Sequence, residues 1–417
     1  MLNIGMIGAG FVAGFHAKSL RSVRNVKVTG VCAPKGAKEL ARTARKDGLG
    51  GAKVYKTVEE LCNAVDVVAI FAPNFARVDI MRDIARACEN GAELKGIICE
   101  KPLARNLQEA DVLARMAKAL HVPTAYFENQ LHMPSLVEAR RQLAAVEQTV
   151  GAAHLARSAE EHGGPHEPWF WDPTQQGGGV CCDMGCHSIA VAMYMLTPSG
   201  KPPDYLEPIS VTAEMALLKW GKEPWIGRLK QRGVDYSVTP AEDYSLVTIE
   251  FRDPETGVVS VAQATNSWMY DAPGLRLLME AFGPGYSYEV NSLKSPAGLF
   301  ISDAAAAAVG DSELALEKSQ ASRGALILQH NEPSLYGYID EWRDAIAAFE
   351  KGKDALLNFE YGRTVTMLIM AAYMAHEKKR KIDLTDPKTL HELDRYVPLI
   401  QQGKGAKVLL GAPHKPG

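Results

Sequence analysis

The sequence predicts an α/β N-terminal domain followed by an α+β C-terminal domain with a largely antiparallel sheet. Three observations carry this expectation. The chain has 417 residues, more than one compact core accommodates. Over the first ~125 residues, short Val- and Ile-rich runs alternate with amphipathic stretches, the βαβ pattern of a parallel sheet. From residue 209 longer runs alternate apolar and polar residues, as strands with one face on a core do.

Taken in chain order, the runs 2–7, 26–32, 65–71 and 96–99 read as strands buried on both faces. The clearest helix is 107–120, where Leu113, Met116, Ala117 and Leu120 form one apolar face. Asn106, with Glu109 three residues on, makes a capping box at its start. A helix over 134–146 precedes strands at 209–218, 244–251, 258–268 and 276–282. The turn Asp253-Pro254-Glu255-Thr256-Gly257 joins two of these in an antiparallel hairpin. Two helices follow. Leu335, Ile339, Trp342, Ile346 and Phe349 step by four and three in the first. The second, 359–380, ends in Lys378-Lys379-Arg380-Lys381, cations suited to a helix C-terminus. The alanine run 304–308 is expected in a loop or short helix, and the last ~20 residues as a loose tail. The expected division is 1–126, 127–385 and a tail, 386–417.

Composition narrows the function. A net charge of −3 creates no global field for nucleic acid or an anionic membrane, so neither partner is expected. Seven cysteines, an odd and scattered set, do not form a disulfide framework and suit a reducing cytoplasm. The N-terminus runs straight into a strand without a basic leader. The longest apolar run, 365–375, is too short to span a bilayer.

Gly8-Ala9-Gly10-Phe11-Val12-Ala13 follows the first strand and opens a helix, the G-x-G-x-x-A form of the dinucleotide fingerprint. Gly8 permits the tight turn, Gly10 the approach of a pyrophosphate, and Ala13 close helix–strand packing. Backbone N–H groups and the helix dipole then face the anion. About 20 residues on, such fingerprints carry an acid for the ribose 2′-hydroxyl. This chain reads Cys32-Ala33-Pro34-Lys35 there, so Lys35 either faces a 2′-phosphate or is a solvated loop lysine, and NAD and NADP are not discriminated.

Two further segments carry chemistry. Glu100-Lys101-Pro102 follows the strand 96–99, at the carboxyl end that lines the ligand crevice of such sheets. Gly177-Gly178-Gly179 leads into Asp183 and His187, which on one helix would share a face, the carboxylate holding the imidazole. A histidine suits general acid–base work on a hydroxyl proton, and a lysine suits developing alkoxide charge.

The glycine turn, Ala72-Pro73-Asn74, Glu100-Lys101-Pro102 and the triple glycine with Asp183-x-x-x-His187 resemble, in this order and over about residues 1–290, the Gfo/Idh/MocA oxidoreductase family. The resemblance implies a Rossmann domain joined to an open-faced mixed sheet used for dimerisation or tetramerisation. It implies NAD or NADP held near Gly8, Gly10, Phe11, Val12, Ala33, Lys35, Ala72, Pro73, Asn74, Glu100 and Lys101. It implies that Lys101, Asp183 and His187 serve catalysis, and that the Lys101–Pro102 bond is cis. One departure stands out: related sequences often carry a histidine just after the Pro-Asn pair, where this chain reads Phe75-Ala76-Arg77.

Other candidates are weaker. Cys181, Cys182, Cys186 and His187 lack C-x-x-C spacing, and adjacent cysteines on a helix point apart, so no metal site is expected. His162, Trp169 and Trp171 offer polar groups beside rings that suit a sugar, and Asn129 is a further substrate candidate. The basic stretch 219–232 places Arg228 and Arg232 where an anionic sugar substituent could be gripped. The expected activity is hydride transfer at a hydroxyl carbon of a sugar, polyol or sugar derivative. Two alternatives stay open: an NAD-dependent glycoside hydrolase working by transient oxidation, elimination, water addition and re-reduction, and a non-catalytic sugar or dinucleotide sensor.

Overall fold

The structure, a computed structural model, describes residues 1–272, 274–294, 298–301, 324–327 and 331–410. The alanine run 304–308 lies outside the described residues. The chain divides into two compact units, Met1–Val137 with Pro333–Met367, and Glu138–Glu332 with Leu368–Gly417.

The first unit is built on β1 (Leu2–Ile7), β2 (Val26–Cys32), β3 (Lys53–Val54), β4 (Val67–Ile70), β5 (Gly96–Glu100) and β6 (Thr124–Phe127). They lie in the order β3-β2-β1-β4-β5-β6, and all neighbours run parallel. The order reverses between β1 and β4, and ligands of doubly wound sheets bind outside the carboxyl ends of the strands at such a reversal. The central strands are apolar on both faces because helices cover both. The helix Leu107–Leu120 has the expected bounds, and the Asn106 side chain accepts from the Glu109 N–H at 3.0 Å.

Residues 333–367 were expected in the second domain but pack in the first unit. Trp342, Ala345, Ile346 and Phe349 of the helix Tyr338–Phe349 join the core of Ile4, Met6, Ala69 and Phe127. Phe349 sits so close to β5 that a Cβ on Gly96 would lie 2.3 Å from its ring. The period of this helix announces an apolar face; it does not say which sheet takes it.

The second unit carries β7 (Leu155–Glu161), β8 (Glu207–Ala216), β9 (Tyr244–Arg252), β10 (Val259–Ser267), β11 (Arg276–Gly283) and β12 (Tyr286–Asn291). A two-stranded antiparallel ribbon, β13 (Gly298–Ile301) and β14 (Gly324–Ile327), and the short β15 (Ile382–Asp383) complete the set. The large sheet has the order β12-β11-β7-β10-β9-β8-β15 and is antiparallel except between β7 and β10. The expected hairpin is β9–β10. The helix Gly185–Leu196 covers one face, over β7, β10 and β11.

Two expectations are corrected here. The run 365–375 is not the longest apolar stretch: Pro173–Leu196 passes by length and composition for a membrane span, but 94% of its window is buried inside the protein, as in a core helix. The tail is not loose over its described part: Pro387–Leu393 is a helix whose Asp386 carboxylate accepts from the N–H groups of Lys388 and Thr389, and Ile400–Lys404 and Ala406–Leu409 are helical. Asp-Pro at a helix start is a cap signal that the Gly- and Lys-rich composition obscured.

Candidate active site

Gly8 has φ +105°, and a Cβ there would lie 2.7 Å from the Phe71 carbonyl carbon at the end of β4. Only glycine meets both demands. Gly10 caps the helix Phe11–Leu20, and nothing lies within 4 Å of where its Cβ would be. No side chain caps this helix and no acid stands in its first turn, so its N-terminal N–H groups are left to an anion. Phe11 is exposed, Val12 half-buried and Ala13 buried. These residues fit the pyrophosphate of a dinucleotide. Ala33 is half-buried and Lys35 exposed in the loop after β2. Gly36, which sequence reasoning passed over, has φ +77° and approaches so closely that a Cβ would be 2.9 Å from the Ala9 carbonyl oxygen. A glycine just after the ribose loop was the available signal.

Ala72, Asn74 and Glu100 are buried, Pro73 and Lys101 half-buried. The Lys101–Pro102 bond is cis. The Lys101 N–H donates to the Phe127 carbonyl at 3.2 Å, which continues the β5–β6 pairing past Glu100. The Glu100 carboxylate turns inward to His16, Oε1 to Nε2 at 2.9 Å. Asn129 donates its amide to the Tyr336 carbonyl at 2.7 Å and is 5% exposed. That bond anchors the turn before the helix Tyr338–Phe349.

In the second unit the helix expected to carry both Asp183 and His187 is two helices, Val180–Asp183 and Gly185–Leu196, interrupted at Met184. Both side chains are buried. His162 Nε2 lies 4.0 Å from Asp183 Oδ2, and His187 Nε2 lies 3.9 Å from Glu160 Oε2. His162 Nδ1 accepts from the Gly164 N–H at 2.9 Å, which makes Nε2 the protonated nitrogen of a neutral ring. Beside them the Asn266 amide donates to Ser188 Oγ at 2.7 Å. Two histidines, two carboxylates, an amide and a hydroxyl thus gather in one buried polar cluster, unusual unless such groups are paired or functional.

The triple glycine is held from behind. The Glu242 carboxylate accepts from the N–H groups of Gly179 and Cys181 at 3.0 Å and from Tyr373 Oη at 2.6 Å. A Cβ on Gly179 would lie 2.2 Å from the Glu242 carbonyl oxygen, and one on Gly178 2.0 Å from Tyr373 Oη. Burial pushes Glu242 up to about 7 against the pull of these hydrogen bonds. Nothing in the sequence pairs Glu242 with residues some 60 positions away.

Trp171 is corrected from substrate candidate to core. It is fully buried, its Nε1 donates to the Pro165 carbonyl, and it packs on Trp220 and Trp268 with ring centroids 4.6 and 4.8 Å away. Trp169 is half-buried and stacks on Phe170 at 3.8 Å. Arg228 and Arg232 are exposed, on and just after the helix Trp225–Gln231, with Arg228 over the Trp225 ring at 4.2 Å. The loop before them is fixed by Asp243, whose carboxylate accepts from the N–H groups of Leu218, Lys219 and Trp220 at 2.6–2.8 Å.

Known proteins agree with this architecture. Residues 2–127 match the oxidoreductase family with an NAD-binding Rossmann fold, and residues 138–283 match the GFO/IDH/MocA C-terminal domain. A glucose-6-phosphate 3-dehydrogenase of Bacillus subtilis is 31% identical over 124 residues, 29% of this chain and 32% of that relative, so the match spans about a third of its length. A myo-inositol 2-dehydrogenase of Thermotoga maritima is 22% identical over 92% of this chain and 99% of its own. The crystal structure of GenD2 from gentamicin A biosynthesis, in complex with NAD, has a TM-score of 0.72 at 23% identity over 92% of this chain and 96% of that one, and shares the fold. This chain therefore belongs to the Gfo/Idh/MocA family of oxidoreductases, with an NAD-binding Rossmann domain and a mixed-sheet C-terminal domain.

Proposed function

We propose that this protein is an NAD(P)-dependent dehydrogenase acting at a hydroxyl carbon of a sugar, polyol or sugar derivative. The observation that supports the reading is Lys101, half-buried and directly after β5, at the carboxyl end of the sheet and one strand out from the β1–β4 reversal of strand order. Ligand chemistry in doubly wound sheets occurs at that end.

In this reading Lys101 hydrogen-bonds the reacting hydroxyl and offsets the negative charge that grows on it. His187 takes the hydroxyl proton, and the nearby Glu160 carboxylate favours the imidazolium that results. Asp183 with His162 supplies a second buried acid–imidazole pair that orients the hydroxyls of a ring substrate. The first-turn N–H groups beyond Gly10 hold the pyrophosphate. When bound, the dinucleotide supplies the hydride acceptor or donor. With Lys35 exposed and no carboxylate in residues 32–35, either NAD or NADP is accepted. The names of the relatives favour hexose- or inositol-sized rings. The protein works in the cytoplasm as a homodimer or homotetramer through the sheet face opposite the helix Gly185–Leu196, where Arg157, Gln263, Thr265, Arg276 and Glu280 stay at least partly exposed.

The test is absorbance at the reduced-nicotinamide band, with both dinucleotides, against free sugars, polyols, sugar acids and aryl glycosides. A dehydrogenase reduces one dinucleotide per turnover. A glycoside hydrolase using the same residues releases the aryl group without net reduction, and a sensor does neither. Changing Arg228 and Arg232 to Ala raises KM for acidic sugars alone if they grip an anionic substituent.

A further inference from the structure

The segment that departs from the family pattern, Phe75-Ala76-Arg77, holds a buried arginine bonded to four backbone carbonyls. Arg77 opens the helix Arg77–Glu89 and is 3% exposed. Its Nε donates to the Ala72 carbonyl at 3.1 Å, at the end of β4. Nη1 donates to the Glu100 carbonyl at 2.5 Å and also to the Pro102 carbonyl. Nη2 reaches the Lys101 carbonyl at 3.4 Å. One guanidinium therefore ties the loop after β4 to three consecutive carbonyls around Lys101.

Carbonyls at strand ends have left their ladder and need other donors. A guanidinium carries five N–H groups in a planar fork, so it alone among side chains satisfies four acceptors from one buried place. A histidine has two ring nitrogens and a lysine a single point of charge. From the other side, the Glu100 carboxylate is held by His16 at 2.9 Å. The backbone on both sides of the Lys101 Cα is thus fixed, which limits where its amine can go.

We infer that Arg77 is the positioning residue for Lys101: it sets the direction of the amine by clamping the carbonyls of residues 100–102. This rests on the proposed role of Lys101 in hydride transfer. Arg77 would act through these carbonyls rather than on the reacting atoms.

The experiment compares wild type with Arg77→Lys and Arg77→Ala in the full chain. Dinucleotide affinity, kcat and KM are measured, with and without added guanidinium. In parallel the lysines are reductively methylated with 13C-formaldehyde, and the Lys101 resonance, assigned by Lys101→Arg, is titrated by NMR. Misplacing a reacting group by an ångström costs about 100-fold in rate, so kcat falls about that far while KM and dinucleotide affinity stay within about threefold. Guanidinium restores part of kcat to Arg77→Ala, and the Lys101 resonance broadens or shifts its titration midpoint in both variants.

A kcat within threefold of wild type in both variants overturns the inference. So does an unchanged Lys101 resonance, or failure of both variants to fold, which would make Arg77 a folding residue only. If the wild type oxidises no sugar, the dehydrogenase reading fails on that result, while the NMR titration still decides what Arg77 does to Lys101.

Discussion

The indole N–H of Trp342 donates to Nδ1 of His16 at 3.0 Å, deep in the first unit. An indole only donates, so Nδ1 accepts and the His16 proton sits on Nε2, where it is given to Glu100 Oε1. The residue that precedes Lys101 is thereby fixed through a histidine and a tryptophan more than 200 positions downstream. Trp342→Phe leaves a buried acceptor unpaired and should cost about 2 kcal/mol of stability. Urea unfolding checks this; a loss below about 0.5 kcal/mol would mean that the bond holds nothing.

Buried carboxylates give stability a defined pH slope. Burial raises Glu242 from 4.5 to about 7, and burial together with Glu100 and Glu128 raises Glu341 well above the usual range. The folded state then binds more protons than the unfolded state across this window. The Glu242 contribution is fully present below pH 4.5 and is lost as pH rises through 7, and Glu341 adds a loss in the same direction. For Glu242 the loss is on the order of 3 kcal/mol. Denaturation at pH 5, 6, 7 and 8 should show stability falling with pH, and Glu242→Gln should flatten the slope. An identical slope in the variant contradicts the assignment.

The two glycines of the phosphate turn should respond differently. Gly8→Ala meets backbone at 2.7 Å in a left-handed conformation and should lose about 3 kcal/mol or more. Gly10→Ala points into open space, so its melting temperature should stay within about 2 °C while dinucleotide affinity drops about tenfold or more. Fluorescence titration with the reduced cofactor reads the second effect. Unchanged affinity in Gly10→Ala would remove the pyrophosphate from this turn.

Lys35 decides cofactor preference if anything in its loop does. Lys35→Glu should weaken NADP about tenfold or more and leave NAD within about threefold, since a carboxylate repels a 2′-phosphate and accepts from a 2′-hydroxyl. Equal changes for both cofactors would show that Lys35 is only a solvated lysine.

Much of this architecture was readable from local chemistry. The helix Leu107–Leu120 and its Asn106 cap are set by period and capping, both short-range. The glycine turn is legible because its geometry is demanded residue by residue. What escaped depends on distant partners. Strand β7 reads Leu-Ala-Arg-Ser-Ala-Glu-Glu, with no β-branched residue, and is a strand because β10 and β11 flank it. Trp171 looked like a sugar platform; three other aromatic residues enclose it. The break at Met184 and the Glu242 brace behind Gly179 likewise have no local signature. Tertiary packing, not propensity, settled each of these.

The most direct test of the account is hydride transfer itself, followed at the reduced-nicotinamide band in wild type, Lys101→Ala and His187→Ala with the sugar panel. The account predicts that at least one sugar or polyol is oxidised by the wild type. Both variants should lose about 100-fold or more in kcat while binding the dinucleotide within about threefold of wild type. Turnover undiminished in Lys101→Ala, or no oxidation of any sugar by wild type that binds the dinucleotide, would contradict it.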